Sequence, residues 1–113
     1  MLSKEQKKQA AQQFREKKVR AGVYAIRCTT TGSVWVGVYR NLDTARNSNW
    51  AALRMRGHRD RPLQDEWAAN DEPAFTFEAL ESLEEDTPAL LMPDLLKSAK
   101  QRWLERLGAR GLL

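Results

Sequence analysis

The sequence is poor in the residues that form covalent cross-links and multi-ligand metal sites. Among its 113 residues it has one cysteine, Cys28, and one histidine, His58. A single cysteine excludes an internal disulfide or a cysteine zinc cluster, and a lone histidine argues against a histidine-rich metal centre. No apolar run approaches the roughly 20 residues of a membrane-spanning helix, and residues 4–18 contain no apolar signal-peptide segment. We therefore expect a cytoplasmic protein with no membrane partner.

The chain has the composition of one compact globular domain, with 42% hydrophobic and 30% charged residues. Its net charge of +4 is unevenly distributed. Residues 40–61 hold six arginines and two acids, whereas residues 62–89 hold nine acids and no base. Such segregation can produce one face that attracts phosphate, and it can equally reflect ordinary solvated helix faces.

The pattern predicts an α+β domain. Ser3 to Gln6 matches a helix-capping box, so we expect a basic N-terminal helix over residues 1–19, preceding a domain over residues 20–113. Within that domain we predict strands at 21–29 and 33–39, helices at about 41–56 and 62–70, a strand at 75–80 and a helix at about 93–107. The order α-β-β-α-α-β-α implies a small, mostly antiparallel three-stranded sheet flanked by helices.

One charged residue stands out in the first helix after the two strands. Leu42, Arg46, Trp50 and Leu53 fall at helical spacing on one face. Arg46 is therefore a cation among apolar neighbours, which makes it a candidate functional residue. The alternative is a side chain whose alkyl stem packs while its guanidinium reaches water.

Two triplets on the predicted hairpin resemble paired motifs of a known family. Gly22-Val23-Tyr24, followed about ten residues later by Trp35-Val36-Gly37, is similar to the motifs of the GIY-YIG nuclease domain family, and the resemblance covers about residues 20–107. It implies metal-dependent cleavage of a DNA phosphodiester. In that family the motif tyrosines handle the proton of the attacking water, an arginine stabilises charge on the phosphate, and one glutamate holds a divalent cation, typically magnesium.

By this resemblance, Tyr24 and Arg46 match the catalytic tyrosine and arginine. The motif positions that we expect to be altered are Trp35, Gly37, Trp50 and Lys100. Trp35 replaces the second tyrosine, and an indole cannot accept a proton at neutral pH. Trp50 falls where many members have a histidine. Tyr39 and His58 are possible accessory residues, as a replacement hydroxyl and an imidazole.

By the same resemblance, the position of the family glutamate falls on Lys100 or Ser98, and the stretch from Leu95 to Leu104 has no carboxylate. An inward-facing lysine repels a divalent cation but can itself bind phosphate. Asp94 and Glu105 would need a register shift to serve as ligands. The identity of any metal ligand stays open, and the cofactor is Mg²⁺ or another divalent cation if the protein is active, or none.

Three hypotheses follow. The favoured one is a GIY-YIG-like domain that binds nucleic acid, with DNA the first expectation, and cuts it weakly or not at all. The second is an active endonuclease with a relocated metal ligand. The third is a protein-interaction module that reuses the fold and makes its contact through the N-terminal helix.

Overall fold

A computed structural model describes residues 20–112, so the helix expected over residues 1–19 lies outside the described residues. In chain order the elements are β1 (Gly22–Cys28), β2 (Val34–Tyr39), α1 (Leu42–Arg54), α2 (Arg61–Asn70), a short 3₁₀ helix (Glu72–Ala74), β3 (Phe75–Ser82), α3 (Met92–Leu107) and β4 (Arg110–Gly111). Within this part of the chain, no helix is long and apolar enough to cross a membrane.

The strands form a single sheet in the order β3-β1-β2-β4. β1 is antiparallel to both β2 and β3, whereas β2 and β4 are parallel. The predicted α+β class with a small, mostly antiparallel sheet is confirmed. Among residues 20–112 the sheet has four strands instead of the predicted three. The additional strand, β4, is only two residues long. So short a strand has no periodicity in the sequence and depends on pairing with β2 at the end of the chain.

The β1–β2 hairpin determines which side chains share a face of the sheet. Tyr24 lies opposite Gly37, and Ile26 lies opposite Trp35. Directly opposed residues in an antiparallel pair project to the same side, so all four point to one face. The hairpin reverses at Gly32, whose φ of +78° is a conformation that favours glycine.

Helices cover both faces of the sheet. On the face of Tyr24 and Trp35, the core is completed by side chains of α1 and α2, among them Leu53, Leu63 and Trp67. The opposite face, with Val23, Ala25 and Val36, packs against α3 through Ala99 and Trp103. The hairpin is therefore enclosed between two layers, which agrees with the lack of clean alternation in its sequence.

Local capping signals define where α1 and α2 begin. The Asn41 side chain accepts a hydrogen bond from the Asp43 amide at 3.1 Å, and the Asp60 side chain accepts one from the Leu63 amide at 3.1 Å. Both are N-cap interactions that satisfy amides without a partner inside the helix. The loop between the two helices, residues 55–60, lies near Tyr24, because His58 in this loop contacts Asn49, which in turn contacts Tyr24.

Candidate functional site

A cavity of about 350 Å³ opens where β2, α1, the loop before α2, α3 and the C-terminal residues meet. Its lining comprises two tyrosines (Tyr24 and Tyr39), three basic residues (His58, Arg59 and Lys100), two polar residues of α1 (Ser48 and Asn49), and Gly37, Val38, Ala52, Gly57 and Leu112. None of these lining residues is an aspartate or a glutamate. The lining is therefore positively charged.

Tyr24 forms the floor of the cavity. Its side chain is 5% exposed and its ring stacks on Phe77, with the ring centroids 5.1 Å apart. Across the hairpin, a Cβ atom placed on Gly37 would lie 2.7 Å from the Tyr24 hydroxyl and 2.8 Å from its Cζ. Contacts this short are not tolerated, so only glycine at position 37 leaves room for the tyrosine. The two motif residues thus depend on each other sterically.

A hydrogen-bond relay orients the Tyr24 hydroxyl. The Asp60 amide donates to His58 Nδ1 at 3.0 Å, so Nδ1 carries no proton and the neutral ring is protonated at Nε2. His58 Nε2 then donates to Asn49 Oδ1 at 2.7 Å. Asn49 Nδ2 donates to the Tyr24 hydroxyl at 3.1 Å and to the Ala45 carbonyl at 2.8 Å. Because the hydroxyl accepts from Asn49, its own proton remains available to an acceptor in the cavity.

Burial keeps both ends of this relay uncharged. Desolvation raises the pKa of the Tyr24 hydroxyl, and the hydrogen bond from Asn49 offsets only part of that rise. Desolvation also lowers the pKa of His58, although the Asp60 carboxylate acts in the opposite direction. At neutral pH the tyrosine is therefore protonated and the imidazole neutral. The relay presents a hydrogen-bond donor to the cavity rather than a base.

Two cations complete the lining. Lys100 on α3 is half-buried, and its Nζ donates to the Leu112 carbonyl at 2.9 Å. Arg59 is exposed in the loop before α2. The ion pairs among residues 20–112 are Arg20–Glu85, Arg27–Glu78, Arg54–Glu72 and Arg102–Glu81. Neither Lys100 nor Arg59 takes part in them, so no carboxylate within this part of the chain neutralises either charge.

The accessory residues expected from the sequence both lie at the cavity. Tyr39 is half-buried, on the same face as Gly37 two residues earlier, and its hydroxyl donates to Ser48 Oγ at 3.3 Å. His58 enters through the relay described above. The structure thus brings Tyr39 and His58 together with Tyr24, Gly37 and Lys100, while their roles in chemistry stay predictions.

Arg46 lies outside this group. Its side chain is exposed, and its guanidinium carbon is 5.6 Å from the centre of the Trp50 ring. Matching Tyr24 and Arg46 to catalytic residues of one family site predicts that the two side chains share a cleft. That prediction is wrong, since Arg46 does not line the cavity, and a catalytic role for Arg46 stays an untested prediction. The reason is helical register, since α1 turns Ala45 and Asn49 toward the sheet.

The two tryptophans among the motif positions expected to be altered belong to the core. Trp35 is fully buried, and its Nε1 has no hydrogen-bond partner within the described part of the chain. Trp50 makes edge-on contacts with Trp67 and Phe77 at centroid distances of 5.4 and 6.1 Å. Neither tryptophan lines the cavity. Trp35 therefore brings no proton-accepting group to the site.

Asn49 and Arg59 were missed by sequence reasoning. Asn49 lies between Ala45 and Leu53 at four-residue spacing, so a polar residue interrupting that small and apolar stripe was the available signal. Arg59 directly follows the only histidine. The sequence does not distinguish Arg59 from the other arginines of residues 40–61. Only the folded structure shows that Arg59 lines the cavity and that the others do not.

The lining does not fit the divalent cation that the family resemblance implies. A hard dication requires anionic or carbonyl oxygen ligands, and among residues 20–112 no aspartate or glutamate lines the cavity. Both ring nitrogens of His58 are engaged in hydrogen bonds, and Lys100 is itself a cation. Asp94 and Glu105, the candidates for a relocated ligand, are exposed and outside the lining. Across residues 20–112 no three His, Cys, Asp or Glu side chains are grouped to hold a metal.

No protein-family model matches the chain, and no curated protein sequence matches it. Among solved structures, the catalytic domain of the homing endonuclease I-TevI superposes with a TM-score of 0.67 and 20% identity, over 82% of this chain and 98% of that one. A mutant of the I-TevI catalytic domain superposes with a TM-score of 0.69 and 20% identity, over 84% and 93% of the respective chains. At this identity the comparison establishes a shared fold.

Proposed function

We propose that this chain is a divergent member of the GIY-YIG nuclease domain family which binds nucleic-acid phosphodiesters in the cavity around Tyr24 and cleaves them weakly or not at all. The two motif triplets lie on the neighbouring antiparallel strands of one hairpin, with Tyr24 opposite Gly37. The fold shared with the I-TevI catalytic domain supports the same assignment.

The observation that carries the proposal is the chemistry of the lining. The proton of the Tyr24 hydroxyl, the Lys100 ammonium and the Arg59 guanidinium are all hydrogen-bond donors at one cavity. The non-bridging oxygens of a phosphodiester are anionic acceptors, and charge-assisted hydrogen bonds to such oxygens are the stronger kind. The arginines of residues 40–61 add a longer-range attraction for a polyanion.

The same lining explains why cleavage should be weak. Hydrolysis needs a group that removes a proton from the attacking water. Tyr24 is protonated, and Trp35 supplies no hydroxyl. Loss of a general base costs about 10²–10⁴-fold in rate. Tyr39 is the other tyrosine of the lining that could take this role, and its proton is directed at Ser48.

Fluorescence anisotropy with a fluorescein-labelled DNA duplex at low salt tests the binding, with an RNA oligonucleotide of the same sequence run in parallel. Tyr24→Phe should weaken binding several-fold, because the ring and its stacking are retained while the donor is lost. Lys97→Ala, an exposed change on α3 outside the cavity, is the control. If the protein binds neither DNA nor RNA, the proposal is contradicted and a protein-interaction module is favoured.

A plasmid-nicking assay with magnesium or manganese tests the activity. We expect little or no cleavage above the level of a Tyr24→Phe control. Robust cleavage that this substitution abolishes would show that the protein is an active endonuclease with its metal ligand elsewhere.

A further inference from the structure

We infer that the cavity binds the phosphate group directly, without a divalent cation, and that Lys100 together with Arg59 supplies the positive charge that a metal ion would otherwise provide. This inference rests on the proposed function and deepens it. It concerns how the anion is held, and it departs from the metal dependence that the family resemblance implies.

The position of Lys100 is fixed by the fold. α3 lies on the far face of the sheet, and the Lys100 side chain reaches past β4 to the cavity, where its Nζ donates to the Leu112 carbonyl at 2.9 Å. An ammonium group has three donors. One is used by that carbonyl, so two remain for phosphate oxygens. The carbonyl holds the ammonium in place without neutralising it, whereas a carboxylate would have cancelled its charge.

The other groups around the cavity also suit an anion. The Tyr24 hydroxyl has its proton available, and Arg59 has no ion-pair partner among the described residues. Asn49 Oδ1, an acceptor that could face a cation, already accepts from His58. A hydrated magnesium ion needs acceptors for the hydrogens of its water shell, so this donor-rich lining disfavours the hydrated ion as well as the bare one.

The test is anisotropy of a fluorescein-labelled DNA duplex in two buffers of equal ionic strength, one with EDTA and one with magnesium chloride. We expect binding in EDTA at least as tight as in magnesium, because magnesium competes for the phosphates instead of bridging them to the protein. Binding that requires magnesium would overturn this inference and leave the proposed function standing. An absence of binding in both buffers would remove the proposed function itself.

Matched variants on α3 identify the cation responsible. Lys100→Gln keeps a donor for the Leu112 carbonyl but removes the charge, whereas Lys97→Gln makes the same change at an exposed site outside the cavity. In EDTA we expect the first to weaken binding about tenfold, as for loss of a charged hydrogen bond, and the second to have little effect. Equal effects of the two would overturn the assignment of Lys100.

Lys100→Arg and thermal melts guard against a folding artefact. Arginine retains the charge and should retain most of the EDTA-resistant binding. A Lys100→Gln protein that melts with the wild type yet binds weakly supports the inference. If the Lys100→Gln protein melts at a lower temperature than the wild type, the binding of Lys100→Arg is compared with that of the wild type instead. Loss of binding in Lys100→Arg, which retains the charge, would contradict a role for that charge.

Discussion

Gly37 and Tyr24 illustrate how a backbone position can control a side chain at the site. An added Cβ on Gly37 would collide with the Tyr24 hydroxyl and Cζ at 2.7 and 2.8 Å, and would also lie 3.0 Å from Leu112 Cδ1. The ring cannot swing away freely, because it stacks on Phe77. The smallest possible addition at position 37 should therefore displace the hydroxyl from the relay.

Gly37→Ala is expected to lower the free energy of unfolding by about 1–3 kcal/mol, the usual cost of overpacking a core. It should also reduce oligonucleotide binding more than Tyr24→Phe does. Urea denaturation and anisotropy measure the two effects. Gly57→Ala is the control for the unfolding free energy, since an added Cβ there meets no atom within 4 Å. A stable Gly37→Ala protein with normal binding would show that Tyr24 is not held as described.

His58 permits a direct test of the relay, because it is the only histidine in the chain. Burial lowers its pKa in the folded state below the unfolded value of about 6.5. The unfolded chain therefore takes up a proton first as pH falls. The stability contributed by neutral His58 is complete above about pH 6.5 and is lost as pH falls through the folded pKa.

An NMR titration of the imidazole carbon-bound protons should give a folded pKa below about 6.5, with the proton on Nε2 in the neutral ring. Thermal melts from about pH 7.5 to 5.5 should show a larger loss of stability in the wild type than in His58→Gln. A titration at or above the unfolded value would contradict the buried, neutral imidazole.

At the scale of elements, the sequence predicts nearly all of the fold. Hydrophobic periodicity and capping residues place each of the three described α-helices, and every described strand except β4, within a few residues of its observed ends. The short 3₁₀ helix at Glu72–Ala74 was not predicted. Those signals are local, and α1 and α2 begin at N-caps that are visible in the sequence. β4 is held by tertiary pairing alone, which leaves no local signal.

The rotation of α1 is where the prediction of the site fails. Both Leu42/Arg46/Trp50/Leu53 and Leu42/Ala45/Asn49/Leu53 satisfy helical spacing, and hydrophobicity favours the set with tryptophan. In the folded chain, Trp50 reaches Trp67 and Phe77 from the side of the helix, so Asn49 faces Tyr24. A one-residue rotation thus exchanges a cation for an amide at the site.

This register predicts unequal effects of two arginine substitutions. Arg59→Ala should weaken oligonucleotide binding about two- to fivefold, the range for an exposed charge contact. Arg46→Ala should have a smaller effect, because the Arg46 side chain lies on Trp50 outside the cavity. Anisotropy at low salt compares the two variants, which remove the same charge. The reverse order would restore Arg46 as the phosphate ligand.

Positive and negative charges lie in different parts of the molecule, and this asymmetry should determine which side a polyanion approaches. The arginines of residues 40–61 lie in and around α1 and the following loop, whereas β3 and the turn after it carry acids, including Glu84, Glu85 and Asp86. A nucleic acid should therefore be drawn to the side with the cavity and repelled from the β3 edge.

Binding should consequently weaken as salt rises, with log affinity linear in log salt concentration and a slope of about −0.9 per phosphate contacted on duplex DNA. Lys100→Gln should reduce the magnitude of that slope by about one contact, whereas Lys97→Gln should leave it unchanged. Anisotropy over a series of potassium chloride concentrations measures the slopes. Salt-insensitive binding would show that phosphate contacts do not dominate.

The hydrogen bond between Lys100 and the Leu112 carbonyl also limits how this domain could be re-engineered. A glutamate introduced at position 100 would meet a carbonyl oxygen where the ammonium now donates, so two acceptors would face each other. In a single Lys100→Glu replacement, we therefore expect repulsion between the two oxygens to turn the carboxylate away from the cavity. Designing a metal site on this scaffold would require changing the C-terminal residues together with position 100. The substitution at position 100 alone should not create metal binding.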